Sequence, residues 1–292
     1  MTDRPVAVGV DGSEPSMAAV QWAADEAAAR GAPLRLVHAR VWRGSNEQFS
    51  IGLSAQEDWA RDRIRDAWRQ ASAQHPELDI SSDETLEAPA KVLLEASRES
   101  QLLVLGSRGT GMVSGFLTGS VALPVVAHAT GPVVLVRERP SAENGEDERR
   151  RPVVVGLDLE HRVDPVLEFA LRAAARTGRR LRVVHVWPRS SVYAYPSALP
   201  DPHVGAGLEA NARKDLDAAL AAWQDSFPEV EIERVLLDGS AAPRLLEAGT
   251  NGHLIVAGRL MRRHVKIATF VGPVTHALLH HASVPVAVVP HY

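Results

Sequence analysis

Residues Gln101–Arg137 read QLLVLGSRGTGMVSGFLTGSVALPVVAHATGPVVLVR. Leu102 to Leu105 is an apolar run too short for a helix and closed by Gly106, so it reads as a buried strand. Gly106, Gly109, Gly111, Gly115 and Gly119 then fall within fourteen residues. Ser120, a good helix cap, stands before Val121, Val125, Val126 and Ala129 at helical spacing. Beyond Thr130-Gly131-Pro132, the β-branched run Val133 to Val136 reads as another buried strand.

Strand, glycine loop and helix N-terminus form an arrangement that holds phosphate. Glycines permit close backbone approach, so several N–H groups can converge on one anion. The first-turn N–H groups of the following helix add donors and a partial positive charge. The Ser120 hydroxyl can cap that helix or touch a phosphate oxygen. On glycine spacing alone, a flexible surface loop is an equal alternative. Two commoner phosphate motifs are excluded. With four residues intervening after Gly106 the chain reads Gly111-Met112-Val113 in place of Gly-Lys-Ser/Thr, and Ser114 stands where a dinucleotide fold needs its third glycine.

What fits is Gly106-x2-Gly109-x9-Gly119-Ser120, followed by His128-Ala-Thr-Gly-Pro and the closing strand. This spacing resembles the ATP-binding signature of the universal stress protein family.

The chain also contains itself twice. Pro5-Val-Ala-Val-Gly-Val-Asp11 recurs as Pro152-Val-Val-Val-Gly-Leu-Asp158, and Leu34-Arg-Leu-Val-His38 as Leu181-Arg-Val-Val-His185. Leu93-Leu-Glu-Ala96 recurs as Leu245-Leu-Glu-Ala248, Leu102–Gly106 as Leu254–Gly258, and His128-Ala-Thr-Gly-Pro-Val133 as His281-Ala-Ser-Val-Pro-Val286. The seam is the charged stretch RPSAENGEDERRR at 139–151. Residues 1–138 therefore read as a first domain with an intact motif, 139–151 as a linker, and 152–292 as a second domain with a degenerate motif.

Each half alternates strands and helices, which implies a parallel sheet covered on both faces by right-handed crossovers. In the first half the strands are Val6–Val10, Leu34–Val41 and Leu78–Glu84, and the helices Ser13–Arg30, Ala55–Gln74 and Val92–Glu99. The expected fold is α/β: two tandem Rossmann-like domains of the adenine-nucleotide α-hydrolase-like type, each a five-stranded parallel sheet. Ligands of such sheets sit at the carboxyl ends of strands, which aligns Asp11, Ala39 and Gly106 along one edge.

The resemblance also covers VAVGVDGSEPS (Val6 to Ser16) and LRLVHA (Leu34 to Ala39). It implies that Gly9, Val10 and Asp11 border the nucleoside, with Asp11 near the ribose or a phosphate-bound metal ion such as Mg²⁺. It implies that the Ala39 backbone meets the adenine edge, and that Gly106, Arg108, Gly109, Gly119, Ser120, Val121 and Ala122 surround ribose and phosphates. Without it, Asp11 is also explained as a turn residue in Asp-Gly-Ser.

The second half departs at its loop, where Met261 replaces the second glycine and Pro273 replaces the serine, removing a hydroxyl and an N–H. Gly258 to Gly272 is one residue longer than Gly106 to Gly119. Arg259, Arg262, Arg263, His264 and Lys266 fill this loop, either as phosphate ligands or as a solvated basic surface.

Composition sets outer limits. The 292 residues suit about two domains. Apolar content of 45% with 23% charged residues is ordinary for a globular protein. A net charge of −4 argues against a nucleic-acid surface. No cysteine is present, which suits the cytoplasm, and neither a secretory start nor an unbroken membrane-spanning run is visible. The histidines show no HExxH spacing, and His280-His281 read as structural. Trp22, Trp59, Trp68 and Trp223 are expected to pack helices. No general base stands beside the glycine loop, so at most slow ATP hydrolysis is expected and no catalytic residue is assigned.

The expected function is that of a nucleotide-dependent regulator in the stress response, a role the resemblance supplies, with ATP held mainly by the first half. The alternatives are an adenine-nucleotide α-hydrolase-type enzyme cleaving ATP, or a ligand-free scaffold. The enzyme type often carries Ser-Gly-Gly-x-Asp-Ser after its first strand, and Val10-Asp11-Gly12-Ser13 lacks the double glycine. The resemblance further implies that the apolar last strands of the halves meet as a pseudo-dimer, with homodimerisation of the whole chain.

Overall fold

The computed structural model describes residues 4–39, 50–107, 121–137, 150–161, 163–187, 202–261 and 271–292, with side chains described from residue 62 in the second helix and from 207 in the sixth. The chain divides into two compact units, one holding the first five strands and the other the last five.

The first unit runs β1 (Val6–Gly9), α1 (Glu14–Arg30), β2 (Leu34–Ala39), α2 (Ser50–Gln74), β3 (Ile80–Thr85), α3 (Pro89–Glu99), β4 (Leu102–Ser107), α4 (Ala122–His128) and β5 (Val133–Arg137). Its strands are all parallel, in the order β3-β2-β1-β4-β5. Helix α1 packs on β1, β4 and β5 and touches α2, whereas α3 packs on β1, β2 and β4 and touches α4. The sheet is thus covered on both faces, as the alternating pattern requires.

Near-continuous apolar strands make this core. Val6, Ala7, Val8, Leu103, Val104 and Val134 are fully buried, and each buried Val or Leu side chain contributes about 1.5–3 kcal/mol. The inner face of α1 is Ala19, Val20, Ala23, Ala24 and Ala27, all without exposure. Short side chains bring that helix close to the strands. It begins at the Ser13 cap, whose side chain accepts from the Ser16 N–H. It stops at Gly31, whose left-handed φ of 60° lets its N–H reach the carbonyls of Ala27 and Ala28.

Some boundaries differ from the sequence expectation. Helix α3 starts at Pro89, not Val92, because proline is tolerated in a first turn, where its missing N–H would have no helical partner. Helix α4 starts at Ala122 with Val121 in the cap position and no side-chain cap; Ser120 lies outside the described residues. Trp68 does not pack as expected: it is 47% exposed, on the outer side of a helix that buries Ile64, Ala67 and Ala71. Trp22 and Trp223 are half-buried, and the Trp59 side chain lies outside the described residues.

The second unit repeats the plan with β6 (Val153–Gly156), α5 (Asp164–Thr177), β7 (Leu181–Trp187), α6 (Pro202–Gln224), β8 (Ile232–Asp238), α7 (Ala241–Gly249), β9 (Leu254–Leu260), α8 (Pro273–His281) and β10 (Val286–His291). Its parallel order is β8-β7-β6-β9-β10. Side-chain contacts repeat with it. A methyl group on Gly9 would lie 3.1 Å from Leu93, and one on Gly156 would lie 2.7 Å from Leu245, the matching leucine. His38 donates from Nδ1 to the Val10 carbonyl at 2.6 Å, and His185 does the same to Leu157 at 3.0 Å. Each imidazole ties the second strand of its unit to the segment leaving the first. No helix among the described residues is long and apolar enough to cross a membrane.

Candidate functional site

In the first unit the strand order reverses between β1 and β4, with α1 leaving β1 over one face and α3 arriving at β4 from the other. Such a switch point leaves a crevice at the carboxyl ends of the two strands. Gly9 ends β1, Val10 and Asp11 follow it, Ala39 ends β2, and Gly106 and Ser107 end β4. All strands being parallel, these residues share one edge. Val10 is buried, Gly9, Ala39 and Gly106 are half-buried, and Asp11 is exposed. Val121 is half-buried and Ala122 buried at the start of α4. Arg108, Gly109, Gly119 and Ser120 lie outside the described residues.

The loop after β1 is built by Asp11 itself. Its Oδ1 accepts from the Ser13 N–H at 2.9 Å and the Ser13 hydroxyl at 2.6 Å, while the Ser16 hydroxyl donates to the Ser13 carbonyl at 2.9 Å. This is an Asx turn leading into the α1 cap, so the turn role of Asp11 is present in the structure. Gly12 takes φ 77°, and a methyl group there would lie 2.5 Å from Arg63 Cδ. The aliphatic stem of Arg63, from α2, therefore lies over this loop. Arg63 was not legible as a neighbour of the site, because an arginine on an amphipathic helix reads as a solvated face.

Gly106 is required by packing. A Cβ there would sit 2.5 Å from the Pro15 carbonyl carbon and oxygen and 2.6 Å from the Ser16 nitrogen, the backbone of the first turn of α1. Its neighbour Ser107 is 1% exposed, with a buried hydroxyl that has no hydrogen-bond partner among the described residues. Ser107 faces Arg137 in the β4–β5 register, and burial pushes the Arg137 guanidinium below its ordinary value. The end of β4 thus brings together a glycine packed against the α1 backbone, a buried hydroxyl with no partner among the described residues and a cation desolvated by burial, just before the glycine-rich stretch of the sequence.

Gly106→Ala is expected to cost about 1–3 kcal/mol, since backbone must move to admit the methyl group. Gly258→Ala meets the His291 ring at 2.6 Å instead, a side chain that can rotate away, and should cost less. Urea midpoints of the two full-length variants make the comparison. Equal losses would show that α1 is not held rigidly over Gly106.

In the second unit the equivalent edge is filled from within. The Thr275 hydroxyl donates to the Gly258 carbonyl at 2.9 Å, and the Met261 N–H bonds the His291 carbonyl at 2.7 Å. The His291 imidazole occupies the space over Gly258. Pro273 stands in the first turn of α8 without an N–H. Asp158 accepts from the Glu160 N–H at 3.2 Å and contacts His161 Nδ1 at 3.0 Å. Arg259, expected in the basic loop, is instead inside β9: it is 2% exposed, and burial, opposed by Tyr292, pushes its guanidinium below the ordinary value. The strand continues past Gly258 because β9 stays paired with β10 through Leu260 and His291. Arg262, Arg263, His264 and Lys266 lie outside the described residues.

A cleft of about 240 Å³ opens beyond β8, lined by Asp238, Gly239, Ser240, Pro243, Arg244 and Glu247. Arg244 lies 3.1 Å from Glu247 and 4.0 Å from Asp238, so its charge is locally balanced. The cleft is not at the β6–β9 reversal, and it lacks a glycine loop.

The model of the Universal stress protein family matches residues 3–137 and again 149–290. The chain is 31% identical over 314 residues to universal stress protein Rv1996 of Mycobacterium tuberculosis, covering 98% of this chain and 95% of that protein. It is 30% identical over 296 residues to a universal stress protein of Mycolicibacterium smegmatis, covering 99% and 97%. Among solved structures, a universal stress protein from Archaeoglobus fulgidus has a similar fold, with TM-score 0.73 at 16% identity over 99% of both chains.

Proposed function

The chain belongs to the universal stress protein family, in tandem form, and on that premise we propose that its first repeat binds ATP at the carboxyl edge of its sheet. Nucleotide occupancy then serves regulation in a stress response rather than turnover. The observation that carries this reading is the end of β4. Gly106 admits the backbone of α1, the buried Ser107 hydroxyl has no hydrogen-bond partner among the described residues, and in the sequence the glycine run Gly109 to Gly119 follows directly. Oligophosphate chemistry suits that set, because backbone N–H groups and a hydroxyl donate to phosphate oxygens without a formal charge of their own.

Gly9, Val10 and the Ala39 backbone would border the nucleoside, and Arg108, Gly109, Gly119, Ser120, Val121 and Ala122 the ribose and phosphates. Among the described residues no group of three or more His, Asp or Glu side chains could hold a metal ion. Mg²⁺ would arrive with the phosphates, and Asp11, which follows β1 on the same edge, would offer it a carboxylate oxygen.

The test is mass spectrometry of the nucleotide released from denatured, purified full-length protein, followed by calorimetry with ATP. Released ATP or ADP and a binding isotherm are the expected results. No nucleotide and no heat of binding would overturn the reading in favour of a scaffold. Accumulation of AMP and pyrophosphate would replace it with the enzyme.

A further inference from the structure

Helix α8 (Pro273–His281) carries His276 and His280 four residues apart, hence on one face. Their ring centroids are 4.2 Å apart, whereas the centroid of the adjacent His281 lies 6.3 Å from that of His280. We propose that His276 and His280 form a chelating site for a divalent transition-metal ion of the nickel and copper class, separate from the nucleotide edge of the first unit.

The spacing carries the proposal. A metal bound to an imidazole nitrogen at about 2.0–2.1 Å lies roughly 3.2 Å from the ring centre. Two such rings at a right angle around the ion have centroids about 4.5 Å apart, and at a tetrahedral angle about 5.2 Å. The two rings, 4.2 Å apart and tilted by 33°, are within reach of such a bite, and among divalent first-row ions copper(II) binds a nitrogen pair most tightly. The separation of 6.3 Å takes His281 out of the same bite. Water completes the coordination, leaving open positions.

The helix holding the pair is fixed. Leu278 and Leu279 are buried beneath it, and the Thr275 hydroxyl pins its first turn to the Gly258 carbonyl. Rings on a rigid element lose little freedom on binding an ion. The fold does not ask for the pair: the matching positions of the first repeat are Leu123 and Ala127. The chain has no cysteine, so no thiolate competes for a borderline ion.

The experiment uses untagged full-length protein, titrated calorimetrically with CuCl₂, NiCl₂ and ZnCl₂, with electron paramagnetic resonance of the copper form. One saturating ion per chain is expected, in the affinity order copper, nickel, zinc, with two-nitrogen coordination. His276→Asn and His280→Asn should each weaken binding about 100-fold, because the second ligand acts at high effective concentration. His281→Asn should change nothing. Circular dichroism in chelator confirms that the variants are folded. Unchanged affinity in both variants, equal loss in His281→Asn, or several weak ions spread over the twelve histidines would each overturn the site.

Discussion

Gly109→Glu, and separately Gly119→Glu, should remove nucleotide from the chain while leaving it folded. Both glycines stand between β4 and α4, in the run where backbone N–H groups would meet phosphate. A carboxylate there faces an anion of the same sign, and opposed like charges cost several kcal/mol in a binding site. A loss of 4 kcal/mol is roughly a thousandfold in affinity. Stability should shift by about 0.5 kcal/mol or less if the loop is exposed, since surface substitutions away from packed features stay within that range. Gly109→Ala adds the methyl group without the charge and should lose less. Calorimetry with ATP, beside thermal melts of the same samples, separates the two effects. A well-folded Gly109→Glu protein with unchanged affinity would place the nucleotide elsewhere.

The fold was legible because its signals are local and occur twice. Val6-Ala-Val-Gly and Val153-Val-Val-Gly are short β-branched runs that end in glycine, and each precedes a helix that stops at a left-handed glycine, Gly31 or Gly178. Period and punctuation of this kind need no knowledge of distant residues. What was not legible depends on partners far along the chain. Arg259 looks like a loop cation until β10 is seen to hold β9 in register as far as Leu260. Gly106 reads as a phosphate glycine, and the structure adds a packing reason, the first turn of α1, ninety residues away in sequence. Thr275, His291 and Arg63 give no signal at all, since a hydroxyl, an imidazole or an alkyl stem acquires its role only when a distant carbonyl or glycine is brought beneath it.

The second large effect expected is inequality between the repeats: one tight ATP site per chain at micromolar ligand, lost in Gly109→Glu and retained in Asp158→Ala. A site of this type works by offering unspent donors to phosphate. In the second unit the Met261 N–H is already bonded to the His291 carbonyl, and Pro273 has no N–H to give. The Gly258 carbonyl is taken by Thr275, and the His291 ring fills the space over Gly258. Each lost charge-assisted hydrogen bond weakens binding by about 1.5–3 kcal/mol, so two lost donors amount to roughly a hundredfold to ten-thousandfold. Arg259 cannot restore this by swinging out, because it lies buried within β9. Asp158 is spent on the Glu160 N–H and on His161, so its removal should leave the measured isotherm of the first repeat untouched. Two sites of equal affinity would mean that the basic residues 262–266 bind phosphate on their own and that His291 moves aside to admit the nucleotide.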